Sequence, residues 1–316
     1  MKSLNGQTIA KVISAISRRF SPANSRVCAA LSLAAIITVP AGATTISFSD
    51  FSDVSSLTLN GDAITTTTSD GAVLRLASAV TWQSGSAFGT NTINAAGFST
   101  YFTFRITNPG GELFDDNTIS GADGVVFVIQ SMGSSIGGGG MGIGYANISP
   151  SVGVEFDTWH NPGLNDPSSN HIGIDINGNL DHGAGSPDTV NVGNDSVRED
   201  GFDNGNIWHS WIDYNGTTLQ IRISENGVRP DDPILSKDLN IPSILGVTNA
   251  YVGFTSGTGL DWGDHDILTW EYRDAFNPIP SVPLPAAVWL FGSGLLGIIW
   301  VSMHKNAAVS RQVLTD

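Results

Sequence analysis

The stretch V-G-V-E-F-D-T-W-H-N-P-G-L-N-D-P-S-S-N-H-I-G-I-D, residues 152–175, gathers the side chains of this sequence that could do chemistry together. On a strand, side chains two apart share a face, so Glu155 and Asp157 project together with roughly 6 to 7 Å between their α-carbons. Asn161 comes next, then Asp166, then His171 at the start of the following strand, so the loop folds the last two back over the same spot. Three carboxylates and an imidazole suit a transition ion such as Mn²⁺, while carboxylates, an amide oxygen and a backbone carbonyl suit Ca²⁺. Two neighbouring ions sharing Asp157 and Asp166 would use every one of these donors. A set of turn acids beside one surface histidine is the plain alternative.

The elements that must hold these residues read as strands. Short runs rich in β-branched and aromatic residues recur between Gly, Asn, Asp and Ser clusters, at 72–77, 98–106, 124–130, 152–158, 171–176, 208–214, 218–224, 250–254 and 267–272. Asn215-Gly216 between two of them predicts a tight hairpin with a primed turn. So many strands over about 235 residues imply one all-β domain, a sandwich of two antiparallel sheets. The long Gly/Asn-rich segments 131–150 and 177–203 read as loops. Trp208, Trp211 and Trp270 fit the core, and His209 reads as an outward strand residue.

Composition narrows the function classes. The chain has 316 residues, 14 Lys+Arg against 29 Asp+Glu, 37 Gly and one Cys. A net charge of −15 excludes the basic footprint that nucleic acid requires, and 41% apolar residues exclude an acidic disordered chain.

The two ends read as addresses. Residues 1–43 carry five positive charges and no acid, then an apolar run at 27–39, then Pro40-Ala41-Gly42-Ala43, which predicts a secretory signal peptide. The only cysteine, Cys28, lies inside it, so no disulfide is expected in the exported domain. Residues 286–303 form an uncharged apolar run about 27 Å long as a helix, enough for a transmembrane anchor, and His304, Lys305 and Arg311 make 304–316 a cytoplasmic tail. Together with Val282-Pro283-Leu284-Pro285-Ala286, this end resembles the PEP-CTERM family of bacterial sorting signals in its VPLPA variant. That resemblance implies export, processing by an exosortase, and a cell-surface or extracellular-matrix location in an exopolysaccharide setting. A plain tail anchor is the alternative. The predicted domain occupies 44–277, with a Pro-rich linker at 278–285. Between the end segments, 28 acidic and seven basic residues remain, a net of −21, which makes the domain attractive to divalent cations.

Glu155, Asp157, Trp159, Asn161, Asp166 and His171, in that order and spacing, resemble the metal motif of the legume (L-type) lectins. The resemblance implies a concanavalin A-like antiparallel β-sandwich (jelly roll). It assigns Glu155, Asp157, Asp166 and His171 to Mn²⁺ or another transition metal, and Asp157, the Trp159 carbonyl, Asn161 and Asp166 to Ca²⁺. It extends to Ala122-Asp123-Gly124, where the aspartate follows a cis peptide and accepts sugar hydroxyls. It also covers Gly138-Gly139-Gly140, where the Gly139 N–H bonds the sugar, and the loop with Leu260 and Asp261. Asn161 would donate to the same sugar, with Trp159 stacked on its ring. Gly259-Leu260 looks like mannose- or glucose-preferring members.

A rival is the retaining glucanases of the same sandwich, which need a second glutamate two or three residues after the aspartate as proton donor. Those positions hold Trp159 and His160. The expectation is therefore a secreted, non-enzymatic carbohydrate-binding protein whose partners are glycans, with oligomers raising avidity. A structural matrix protein with metals as staples is the runner-up.

Overall fold

The computed structural model describes residues 45–111, 121–135, 142–193 and 200–281. They build two antiparallel sheets. The back sheet contains β1 (Thr45–Phe48), β3 (Ile64–Thr68), β4 (Gly71–Ala77), β7 (Phe98–Gly110), β12 (Trp208–Tyr214), β13 (Thr218–Ser224), β14 (Leu235–Asp238) and β16 (Trp262–Arg273). The front sheet contains β2 (Leu57–Gly61), β5 (Ser84–Gly89), β6 (Ile93–Asn94), β8 (Gly124–Gln130), β9 (Ser151–Asp157), β10 (His171–Ile176), β11 (Thr189–Asn191) and β15 (Asn249–Gly257). Neighbours run β14-β13-β12-β7-β16-β4-β3 behind and β11-β10-β9-β8-β15-β5-β2 in front; β1 joins the back sheet on β16, and β6 pairs with β15. The architecture is the expected all-β sandwich.

Period-two alternation divides each strand between two environments. Val152, Val154 and Phe156 of β9 and Val125, Phe127 and Ile129 of β8 face Phe98, Phe102, Phe104 and Trp270 of the back sheet in one core. Each such side chain contributes about 2 kcal/mol by leaving water. The opposite face of β8 carries Val126 and Val128, which pack under Ile143, Tyr145, Ile148 and Leu180, so the loops after β8 and β10 fold down over the front sheet.

All nine expected strands form. Several of the unexpected ones are poor in large apolar residues: β3 is I-T-T-T-T, β5 is S-G-S-A-F-G, and β14 is L-S-K-D. Backbone pairing to a neighbour, rather than side-chain pattern, makes them strands. The 177–203 segment, read as one loop, contains β11. The hairpin at Asn215-Gly216 exists, but only Gly216 takes a positive φ, +98°. Its connection is three residues long because the Asn215 side-chain oxygen accepts from the Thr217 and Thr218 N–H groups, at 3.0 and 2.9 Å. Trp211 is buried as expected, but beside Tyr101 and Ile279 on the outer side of the back sheet, stacked on His209.

His265 on β16 is buried, with its Nδ1 2.6 Å from the Ser256 hydroxyl. Burial pulls its pKa down to about 4, with Asp264 opposing and Arg75 reinforcing the shift. The unfolded chain therefore takes up this proton first as pH falls. The neutral ring's contribution is complete above the ordinary histidine value near 6.5 and is lost between that value and about 4, up to about 3 kcal/mol. Thermal melts of ion-saturated protein across this range should steepen for the wild type relative to His265→Asn; parallel curves would show that His265 does not set the acid limit.

Among the described residues no helix is long and apolar enough to cross a membrane. The leader 1–43, the apolar run 286–303 and the tail 304–316 lie outside them, as does Gly139.

Candidate functional site

One rung of the front sheet brings the site together. Across it, Ser84 faces Gly257, Gly257 faces Gly124, Gly124 faces Asp157, Asp157 faces His171, and His171 faces Asn191. The loops leaving this rung are neighbours although far apart in sequence. Backbone bonds join them: Asp123 N–H donates to the Gly257 carbonyl at 3.1 Å, Thr158 N–H to Asp123 at 3.0 Å, and Trp82 N–H to Gly259 at 3.0 Å. The Ala122–Asp123 peptide is cis, as the motif implied. Gly124 has φ +129°, and a Cβ there would strike the Phe156 carbonyl, so only glycine can follow Asp123 at this approach.

Glu155 and Asp157 share the outer face of β9 and are both buried, as are Asp166 and His171. His171 Nδ1–H donates to the Ser168 carbonyl at 3.0 Å, which turns the Nε2 lone pair toward Glu155 Oε1 at 3.1 Å and Asp166 Oδ1 at 3.9 Å. A lone pair facing two carboxylates calls for a proton or a cation between them. Burial opposes charge on both Glu155 and His171, but their contact outweighs it, holding Glu155 below the usual carboxylate range and His171 above its own ordinary value. Burial, with Glu155 and Asp166 beside it, pushes Asp157 far up. Donor atoms of Asp157, Asp166 and His171 lie within 4.8 Å of one another, and so do those of Glu155, His171 and His182. These nitrogen and carboxylate donors fit a transition ion. Trp159 N–H donates to Asp157 Oδ1 at 2.6 Å and Asn161 N–H to Asp166 Oδ2 at 2.7 Å, which gathers Asp157, Asn161 and Asp166, oxygen donors that could hold a second ion.

Beside this cluster lies a shallow hollow of about 110 Å³, lined by Trp82, Asp123, Trp159, Asn161, Leu260 and Asp261. Five of its lining residues were expected from sequence. Asp123 is buried, and its Oδ2 has no hydrogen-bond partner. Burial, then the Asp261 charge, raises its pKa to about 7. Leu260 is exposed at the rim, while Asp261 is buried. A larger cleft of about 520 Å³ adjoins, sharing Asp123 and Asn161 and continuing past Gly142 and Leu180.

Two contributors escaped the sequence reading. Trp82 is an exposed aromatic with φ +60° that reaches the hollow from the loop before β5. His182 places Nε2 2.6 Å from Glu155 Oε1. Its signal is indirect: Gly173 interrupts the apolar strand H-I-G-I-D, and glycine in a strand marks a close approach. A Cβ on Gly173 would fall on Glu155 Oε1 and 2.6 Å from His182 Cε1.

The chain thus joins a two-sheet antiparallel sandwich to buried carboxylates and histidines beside a shallow loop hollow. Residues 43–285 match the legume lectin domain model, and the chain belongs to that family. Its sequence is 31% identical over 274 residues to the L-type lectin-domain containing receptor kinase SIT2 of Oryza sativa subsp. japonica, covering 78% of this chain and 39% of that protein. It is 34% identical over 186 residues to receptor kinase VIII.1 of Arabidopsis thaliana, covering 57% and 24%. The chain thus spans at most about two fifths of these relatives. Among solved structures it resembles the metal-free form of lectin I-B4 from Griffonia simplicifolia, with TM-score 0.57 and 27% identity over 72% of this chain and 98% of that one. Basic winged bean lectin with Tn-antigen gives TM-score 0.57 and 27% identity over 73% and 98%. The family is generally non-enzymatic.

Proposed function

We propose that this protein is an exported lectin whose loops, organised by Ca²⁺ and a transition ion, bind a neutral sugar of the mannose or glucose type. The observation that carries this reading is the buried, unpartnered Asp123 Oδ2 in a hollow bordered by Trp159 and Asn161. A carboxylate oxygen in that setting is made for sugar hydroxyl donors, because charge-assisted hydrogen bonds are roughly twice as strong as neutral ones. Asn161 adds a donor, Trp159 offers a face for the ring, and Leu260 and Asp261 close the rim; the family resemblance assigns a further donor to the Gly139 N–H. The ions hold the loops and take no part in bond making. Glu155 is buried against two imidazoles and Trp159 and His160 stand where a glucanase has its second glutamate, which favours a binder over a hydrolase.

A shallow site of this kind binds weakly, so retention depends on clustering or oligomers. The leader, the VPLPA motif and the terminal apolar run support export, transient anchoring and exosortase release into an exopolysaccharide matrix. A glycan array read with and without Ca²⁺ plus Mn²⁺ or Zn²⁺ tests the function. Ion-dependent binding to mannose- or glucose-containing glycans is expected. An array silent under both conditions would overturn it in favour of a matrix protein stapled by metals.

A further inference from the structure

The six motif positions account for one histidine, yet two imidazoles meet Glu155. His171 Nε2 lies 3.1 Å and His182 Nε2 2.6 Å from the same oxygen, Glu155 Oε1. The rings stand perpendicular, with centroids 5.9 Å apart. His182 belongs to the loop after β10, and that loop is held down at three points. Leu180 is buried in the outer apolar cluster, His182 N–H donates to the Leu164 carbonyl at 3.2 Å, and the Asp181 carboxylate accepts from Asn165 Nδ2 at 2.7 Å. Gly173, lacking a side chain, leaves the space in which Glu155 and His182 meet.

An independent observation lies on the far side of the ring. Asp175, next on the outer face of β10 after Gly173, is buried, and neither of its oxygens has a hydrogen-bond partner. Its Oδ1 is 3.6 Å from His182 Nδ1. A carboxylate behind an imidazole whose other nitrogen faces a donor cluster is the arrangement that fixes the tautomer and orientation of metal-bound histidines. A carboxylate on that side favours the tautomer with the proton on Nδ1, which leaves Nε2 free to ligate.

We propose that His182 is a direct ligand, oriented by Asp175, of the ion held at Glu155 and His171, and that this second imidazole widens the preference of the centre for Zn²⁺ over Mn²⁺. Two imidazoles with carboxylates are borderline-soft donors suited to Zn²⁺, whereas Mn²⁺ favours an oxygen shell and stands lowest in the divalent affinity order. The inference builds on the metal reading of the Glu155–His171 hairpin and does not require sugar binding.

The test is competition for Zn²⁺ and for Mn²⁺ against a chromophoric chelator, with the absorption spectrum of the Co²⁺-loaded protein as a second readout. His182→Ala should lower Zn²⁺ affinity by at least about tenfold, change Mn²⁺ affinity less, and alter the Co²⁺ spectrum. Asp175→Asn should lower Zn²⁺ affinity by about tenfold with the ligand set intact. Melting in chelator checks that each variant folds; if His182→Ala does not, His182→Gln replaces it. Wild-type Zn²⁺ affinity and an unchanged Co²⁺ spectrum in a folded His182 variant would overturn the proposal. Glycan binding that persists in such a variant leaves the lectin reading standing, and Zn²⁺ binding through His182 without any glycan binding leaves this inference standing alone.

Discussion

Exhaustive chelation is expected to abolish retention on a mannose or glucose column and to lower the melting temperature by about 10–20 °C. Asp123, Glu155, Asp157 and Asp166 converge on one end of the front sheet, where His171 and His182 both meet Glu155. Two like charges 4 Å apart repel by about 4 kcal/mol at an effective dielectric near 20. Asp157 and Asp166 consequently resist ionising without a cation, each shifted up chiefly by burial. An ion present at about 100 times its dissociation constant stabilises the folded state by about 2.7 kcal/mol, and two such ions by about twice that. For a domain of this size each kcal/mol corresponds to about 2–4 °C. Restoring Ca²⁺ with Mn²⁺ or Zn²⁺ should recover both stability and retention. A melting temperature indifferent to chelation and re-addition would rule out the metal reading.

Asp123→Ala should remove sugar binding while leaving the fold as stable as before. Losing two hydrogen bonds to a charged acceptor, each worth about 1.5–3 kcal/mol, weakens binding by roughly 100-fold or more. A site of this shallowness then falls below detection on a column. The folded state loses little, because Asp123 Oδ2 is unpartnered and the carboxylate repels Asp261. The backbone bonds of residue 123, to Gly257 and Thr158, do not involve the side chain and persist in the variant. Unchanged retention would place the sugar elsewhere, and a large fall in melting temperature would make Asp123 a structural residue. The contrast with chelation is informative: one change should cost both stability and binding, the other only binding.

Much of the candidate site was legible because it lies in one hairpin. Glu155 through His171 are contiguous in sequence, and strand periodicity alone places Glu155 and Asp157 on a common face. Local geometry therefore fixes which donors can meet. The strands with large β-branched and aromatic residues were legible for the same reason, since β7, β8 and β9 carry their burial pattern in their own residues. Strands such as β3 and β14, polar and partly exposed, carry no such pattern and exist through pairing with β4 and β13.

Sequence by itself thus determined an acidic all-β domain and an ordered set of candidate donors, and the resemblance added a short list of candidate sugar contacts. Tertiary structure alone decided what the loops from other strands add. Trp82 joins the hollow because Ser84 and Gly257 share a rung with Gly124, a pairing that spans over 170 residues of chain. His182 reaches Glu155 because Leu180 anchors its loop and Gly173 leaves room, and Asp175 turns toward it from the same strand face. The reason is physical: a strand's period orients side chains only along its own length, whereas sheet register and loop packing choose which distant side chains share a space.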